Sequence, residues 1–162
     1  MRRIRQAALE HGCEAIGRHD IEPRARQHNR ALRLGARIDA MIDLGQTGQI
    51  FGEHGIGKTA TFAAHIRQAY RDTELVYVPA ANLAPDDLLV NAPVRDPRTG
   101  ELVLRQLVMR QLKPGRKFVL LIDDSLQAGP AIQSQLMQIA CNWTLGEHDL
   151  RELGCIGVFL AD

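Results

Sequence analysis

The sequence predicts an α/β fold, a three-layer sandwich with a parallel sheet between helices. Three observations carry that expectation. Short apolar segments at 49–51, 75–78, 118–122 and 156–160 alternate with stretches of helical periodicity, the pattern of a parallel sheet with crossover helices. A glycine-rich turn, residues 52–57, joins the first apolar segment to a helical one. Phe118 to Ile122 is apolar without alternation and bounded by charge, as a strand covered on both faces must be.

The elements follow in order. Residues 3–17 carry weak helical character. From Pro23 to Leu44 the pattern is firmer: Leu34, Ile38, Met41 and Ile42 share one face, and Gly45 is a natural stop. Gln49-Ile50-Phe51 reads as a short strand. Lys58 to Tyr70 reads as a helix with Phe62, Ile66 and Ala69 on one side. Leu75 to Val78 is a strand closed by Pro79. Residues 80–100 hold Pro85, Pro93, Pro97 and Gly100 and read as loop, with a helical turn at Pro85–Leu89. RDPRTGE (95–101) is a turn signal whose flanks could pair as a hairpin, yet LVLRQLVMRQL (102–112) has helical spacing. Pro130 to Cys141 is a helix with proline in its first turn and Ile132, Leu136, Met137 and Ile139 as its apolar side. Residues 144–153 form a loop or small hairpin, and Ile156 to Leu160 a last strand.

Bulk properties set outer bounds. The 162 residues suffice for one domain with a real core; 45% hydrophobic and 24% charged residues are ordinary for a soluble globular protein. The net charge of +1 points to no partner class. Its distribution is uneven: residues 1–37 hold nine Arg against four acidic residues. The basic arm, 1–22, is expected to precede a core spanning 23–162 and keeps nucleic acid open as a contact, although the 4% aromatic content offers no base-stacking platform. Cys13, Cys141 and Cys155 are odd in number and widely spaced, which fits a reducing compartment. No apolar run reaches the length of a membrane span and no secretory signal opens the chain, so no membrane partner and a cytoplasmic location are expected.

GEHGIGKT (52–59) matches G-x-x-x-x-G-K-[ST] at every fixed position, after an apolar strand and before a helix. The chemistry needs those residue types. Gly52, Gly55 and Gly57 let the backbone wrap a phosphate, and the helix opening at Lys58 adds its positive end. The candidate nucleotide-binding residues are Gly52, Glu53, His54, Gly55, Ile56, Gly57, Lys58, Thr59 and Ala60, with Ile56 packed beneath the loop and His54 a variable residue on the turn. Lys58 can bridge the β- and γ-phosphates of ATP, and the Thr59 hydroxyl can ligate Mg²⁺. Glycine in a turn by chance would lack the flanking strand and helix.

A nucleotide site also needs an acid at the end of a neighbouring buried strand. Phe118–Asp123 supplies it. Asp123 is the expected partner of Mg²⁺ opposite Thr59. Asp124, next along, is expected to point to the opposite side and approach the water that attacks the γ-phosphate, as the catalytic group. An ordinary turn after a strand is the competing explanation for both carboxylates, more so for Asp124.

With these residues in view, the chain resembles an AAA+ ATPase of the P-loop NTPase class, in the MoxR-like and dynein-related branch. IFGEHGIGKTA (50–60) is similar to that branch's loop, and LVYVPAANLAPDDLLVNAPVRDPRTGEL (75–102) to its second strand and the segment after it. FVLLIDDSLQAGPAIQSQLMQIA (118–140) resembles its acidic strand and continuation, with Gln127, Ala128, Pro130, Ile132, Gln133 and Leu136 at corresponding places. LGEHDLRELGCIGVFLAD (145–162) is similar to the hairpin and strand leading to a polar sensor residue, at or just before which Asp162 falls. The resemblance implies ATP binding, Mg²⁺-dependent hydrolysis, assembly into a homo-oligomeric ring, and remodelling of a partner protein in the manner of a chaperone, often with a partner bearing a von Willebrand factor A-type domain. Two departures stand out. The family's acidic pair is Asp-Glu where this chain has Asp123-Asp124. The sequence also stops before the family's last strand, arginine finger and helical lid, so a partial domain is expected, incomplete at its C-terminus.

Two alternatives use the same loop. A P-loop kinase or transferase would need an Arg-rich lid, for which Arg95, Arg98, Arg105 and Arg110 are candidates. A non-hydrolysing nucleotide-binding or DNA-associated module would use the basic arm. Trp143 is expected to anchor packing rather than stack on adenine, Met109 and Met137 to fill the core, and His65 and His148 to hold no zinc. Arg110, Arg116 and Arg151 are each candidates to act across a subunit interface.

Overall fold

A computed structural model of the chain describes residues 18–53, 55–113 and 115–162. The first seventeen residues, with Cys13 and most of the basic arm, lie outside this set, as does His54. Two compact units are distinguished, one ending at Leu34 and one running from Gly35 to Asp162. In the first, the described residues are helical from Arg18 onward. They belong to helix α1 (Arg18–Asp43), whose last nine residues lie in the second unit.

The second unit is α/β. Its sheet has four parallel strands in the order β1-β8-β5-β2: β1 (Gly48–Ile50), β2 (Glu74–Pro79), β5 (Phe118–Asp123) and β8 (Cys155–Ala161). Between β1 and β2 the chain forms α2 (Lys58–Ala69). After β2 come a 3-10 turn (Ala80–Asn82), the one-turn helix α3 (Pro85–Leu88), and a hairpin of β3 (Leu89–Arg95) and β4 (Leu102–Val108). β5 leads through a 3-10 turn (Ser125–Gln127) into α4 (Pro130–Asn142). A minimal hairpin, β6 (Thr144–Leu145) and β7 (His148–Asp149), precedes β8. Glycine-rich loop, acid-bearing strand and sheet order together make this a P-loop NTPase-like sandwich. Among the described residues no helix is long and apolar enough to cross a membrane.

Strand β5 explains the core. Phe118 to Ile122 are all at most 2% exposed, each contributing roughly 1.5–3 kcal/mol relative to exposure. Successive side chains face opposite ways, so both faces of the strand are covered. Phe118, Leu120 and Ile122 join α4's Ile132, Leu136 and Ile139 in one cluster. Across the sheet are Phe62 and Ile66 of α2, both fully buried, and Phe62 packs against Phe159 of β8 with ring centroids 4.8 Å apart. That packing explains Gly48, where an added Cβ would collide with the Phe159 ring.

Helix α1 ends as expected. Gly45 takes φ +61°; its N–H donates to the Ile42 carbonyl and that of Gln46 to Met41, a Schellman closure. Trp143 is the packing anchor: it is 3% exposed, its Nε1 donates to Thr47 Oγ1 at 3.1 Å, and the Arg151 guanidinium lies 4.4 Å from its ring centroid.

Several expectations are corrected. Residues 102–108 are a strand, not the start of a helix, and 89–95, read as loop, are its partner in a seven-pair antiparallel ladder. Leu-Val-Leu-Arg-Gln-Leu-Val tolerates either period, and the turn decides. Asp96 Oδ1 accepts from the N–H groups of Arg98 and Thr99, at 2.8 and 3.3 Å, and Gly100 takes φ +75°, which aligns the flanks. The backbone N–H groups hold the Asp96 carboxyl below its usual range. Met137 and Ala69 are exposed, because each lies at the edge of a stripe whose centre suffices to cover the sheet. The first strand is Gly48–Ile50, and Phe51, expected inside it, is 66% exposed.

Candidate functional site

The strands end together at one edge of the sheet. The register places Asp123 of β5 beside Ala161 of β8 and Pro79 of β2, and Ile50 of β1 on the far side of Ala161. The chain leaves β1 and reaches β2 at the opposite edge, so a crevice opens at the carboxyl ends of the strands, where α/β sheets accept ligands.

The loop after β1 lies over that crevice. Gly55 and Gly57 both take φ +80°, a left-handed conformation that costs other residues about 1–2 kcal/mol. A Cβ on either would meet nothing within 4 Å, so backbone conformation rather than crowding calls for glycine. Gly57 is also the residue before α2, and the Thr61 N–H already bonds back to its carbonyl. The orphan N–H groups of the first helical turn therefore face the loop, with the positive end of α2.

Lys58 opens α2 and folds back on the loop. Its Nζ donates to the Gly52 carbonyl at 2.6 Å and the Glu53 carbonyl at 3.2 Å, leaving a third ammonium proton for another acceptor. Thr59 follows, and its hydroxyl donates to Asp123 Oδ2 at 2.9 Å across 64 residues of sequence. The phenol of Tyr77, on β2, donates to the same oxygen at 3.0 Å. Burial and the Asp123 carboxylate together push the Tyr77 hydroxyl above its usual pKa.

Asp124 turns the chain at the end of β5. It takes φ +54°, ψ +42°, a left-handed conformation that aspartate tolerates better than most residues. Its N–H donates to the Ala161 carbonyl at 2.9 Å, and its Oδ1 lies 3.4 Å from Gln127 Nε2. Asp162 continues β8. Its carboxylate accepts from the Ser125 hydroxyl at 2.9 Å and the Leu126 N–H at 3.0 Å, while its backbone bonds to Ile50 and Gly52. One residue thus ties the base of the loop to the turn after the acidic strand.

These groups enclose a cavity of about 340 Å³, lined by Gly55, Gly57, Lys58, Thr59 and Ala60 from the loop and by Asp123, Asp124 and Asp162 from the strand ends. Most of the sequence candidates meet there. Asp123 and Asp124 line the same cavity rather than pointing to opposite sides, because the left-handed turn at Asp124 brings the second carboxylate round. Ile56 does not pack beneath the loop; it is 58% exposed and lines no part of the cavity. Gly52 and Glu53 contribute carbonyls to Lys58 rather than cavity wall. Tyr77 was not singled out for the site by motif, and Asp162 only through the resemblance of 145–162, which sets it at or just before a polar sensor residue. Only the register of β2 and β8 against β5 brings them to Asp123 and the loop.

The other candidates lie elsewhere. His65 pairs with Asp39 at 2.7 Å, the same carboxylate oxygen that accepts from Tyr70 at 2.9 Å, and His148 Nε2 lies 2.9 Å from the Gln106 carbonyl. Burial, then the Asp39 hydrogen bond, pushes the Tyr70 phenol up to about 12. Arg95, Arg98 and Arg105 sit on the hairpin, where Arg95 donates to the Gly100 carbonyl at 2.6 Å. Arg110 lines a second cavity of about 750 Å³ between the hairpin and β2. Cys155 is buried and its thiol is pushed up to about 11, chiefly by that burial; Cys141 is exposed.

Among solved structures the chain is similar to the crystal structure of a presumptive ATPase from Cytophaga hutchinsonii, at 13% sequence identity and a TM-score of 0.42. The match covers 85% of this chain but 43% of that protein, so the chain spans less than half its length. No family model and no curated protein matches the chain.

The fit of an ATP-bound magnesium ion can be judged from the donors. Thr59 Oγ1 gives its proton to Asp123 Oδ2, which leaves the hydroxyl lone pairs available, and Asp123 Oδ1 accepts no hydrogen bond among the described residues. Hydroxyl and carboxylate oxygens are the ligands a hard cation takes. Among the described residues no group of three or more His, Cys, Asp or Glu is gathered as a metal cage. Magnesium bound with nucleotide needs no such cage, because phosphates and waters complete its shell. The residues fit.

Proposed function

We propose that this chain binds ATP with Mg²⁺ in the cavity between the loop and the strand ends, and hydrolyses it. The observation that carries the reading is the Thr59–Asp123 hydrogen bond. It joins the last residue of the phosphate-loop motif to the acid of a different buried strand, beside the Lys58 ammonium and two left-handed glycines. The backbone N–H groups at the start of α2 take the phosphates, and Lys58 turns its free donor to the β- and γ-oxygens. Thr59 and Asp123 would hold the metal, which when bound neutralises charge on those oxygens. Asp124, on the same cavity, orients the attacking water and accepts its proton. Asp162, fixed by Ser125 and the Leu126 N–H, gives the cavity its third acidic wall.

The finer reading rests on the resemblance of 50–60 and 118–140 to MoxR-like AAA+ ATPases. On that reading the ATPase works in the cytoplasm as a homo-oligomeric ring that remodels a partner protein, with a von Willebrand factor A-type protein as the expected associate. The deciding experiment is Lys58→Ala with ATP binding measured by calorimetry in excess Mg²⁺. Lys58 is not a core residue, so the variant should fold, and binding should fall at least about 10-fold, the loss of one charge-assisted hydrogen bond, worth about 1.5–3 kcal/mol. Undiminished affinity would sink the site assignment.

A further inference from the structure

We infer that Tyr77 is a positioning residue for the magnesium site, acting through Asp123; the inference rests on the MgATP reading above. Tyr77 sits on β2, at the outer edge of the sheet, opposite Leu121 of β5. Side chains two residues apart on a strand share a face, so Tyr77 and Asp123 stand on the same side of the sheet, one step along. The phenol reaches across that step and donates to Asp123 Oδ2 at 3.0 Å. The Thr59 hydroxyl donates to the same oxygen at 2.9 Å.

Two donors from two elements therefore converge on one carboxylate oxygen. Together they fix the rotation of the Asp123 carboxylate, and Oδ1 is left with no donor among the described residues. A carboxylate held by one donor swings about its bond to Cβ; held by two, it presents one oxygen consistently. Packing does not explain the hydroxyl. The Tyr77 side chain is 46% exposed, and phenylalanine would cover the same apolar surface. What the hydroxyl adds is its bond to the carboxylate that would face the metal. Outer partners of metal ligands typically contribute 10–100-fold to metal affinity, and the exposure of this one puts it at the low end.

The test separates metal affinity from folding. ATP affinity is measured by calorimetry twice for each protein, in excess Mg²⁺ and in EDTA, for wild type, Tyr77→Phe and Asp123→Asn. The ratio of the two affinities reports what the metal adds. Tyr77→Phe should weaken binding in Mg²⁺ by about 10-fold while leaving binding in EDTA unchanged, and Asp123→Asn should reduce the ratio further. A wild-type ratio in Tyr77→Phe overturns the inference and leaves the MgATP reading standing. An equal loss in Mg²⁺ and EDTA overturns it too, since that is a structural defect. A wild-type protein whose affinity ignores Mg²⁺ overturns the MgATP reading and this inference with it.

Discussion

The loop over the cavity and the turn of the β3–β4 hairpin use the same backbone device for different ends. Gly57 and Gly100 sit at φ +80° and +75°, and neither has a neighbour within 4 Å of where a Cβ would stand. At Gly100 the left-handed residue closes a local turn, held by Asp96 and by the Arg95 guanidinium on the Gly100 carbonyl. At Gly57 it turns a strand exit into a helix start whose free N–H groups face a cavity walled by distant residues. Identical conformations thus carry local order in one region and long-range assembly in the other. The residues around them tell the two apart, not the glycines.

That contrast can be broken most severely at Asp124. Asparagine is as tolerant of the left-handed region as aspartate, so Asp124→Asn keeps the turn and removes the proposed base. Hydrolysis, followed as steady-state phosphate release, should fall about 100-fold or more with ATP affinity unchanged. Equal turnover in the two proteins would remove Asp124 from the mechanism. A matched pair of substitutions comes next. Gly57→Ala and Gly100→Ala should each lose about 1–2 kcal/mol in urea unfolding, because the backbone lesion is the same. Only Gly57→Ala should also weaken ATP binding, by about 10-fold. If Gly100→Ala did so equally, the hairpin would be part of the site.

The smallest effect tests a tie away from the cavity. Tyr70, bound to Asp39, has its pKa raised from 10 to about 12. The folded state therefore holds that proton where the unfolded chain has lost it. The associated stability is complete below about pH 10 and disappears as pH rises toward 12. Tyr70→Phe should flatten stability against pH in that window and delete the uppermost phenolate transition in an absorbance titration. A transition that persists in the variant would assign it to Tyr77, the other tyrosine.

Much of the fold was legible because its signals are local. Phe118–Ile122 suited a doubly covered strand and is one, Gly45 stopped α1, and Pro130 opened α4. The hairpin was half legible. RDPRTGE announced a turn, but 102–108 carries leucines and valines at spacings that suit helix and strand alike, and pairing with 89–95 settled it. Ile56 and Met137 show the reverse limit: an apolar side chain announces a wish to be covered, not whether a neighbour arrives.

At the candidate site, spacing and residue type alone singled out Lys58, Thr59 and Asp123, which the structure brings to one cavity, because the proposed phosphate and magnesium chemistry permits few substitutes and the motif keeps its parts in sequence. The geometry of Asp124 was beyond that, since one left-handed residue reverses where a carboxylate points. Tyr77 belongs to the tertiary structure altogether, and so do the contacts of Asp162, whose place near a polar sensor residue was all that the resemblance of 145–162 implied. Each is placed by the register of a parallel strand: Tyr77 of β2 reaches the Asp123 carboxylate from one step away, and Asp162, the residue after β8, reaches the cavity wall. Strands in a parallel sheet are neighbours only after the intervening helices have packed, and no pattern along the chain records which residues will then stand side by side.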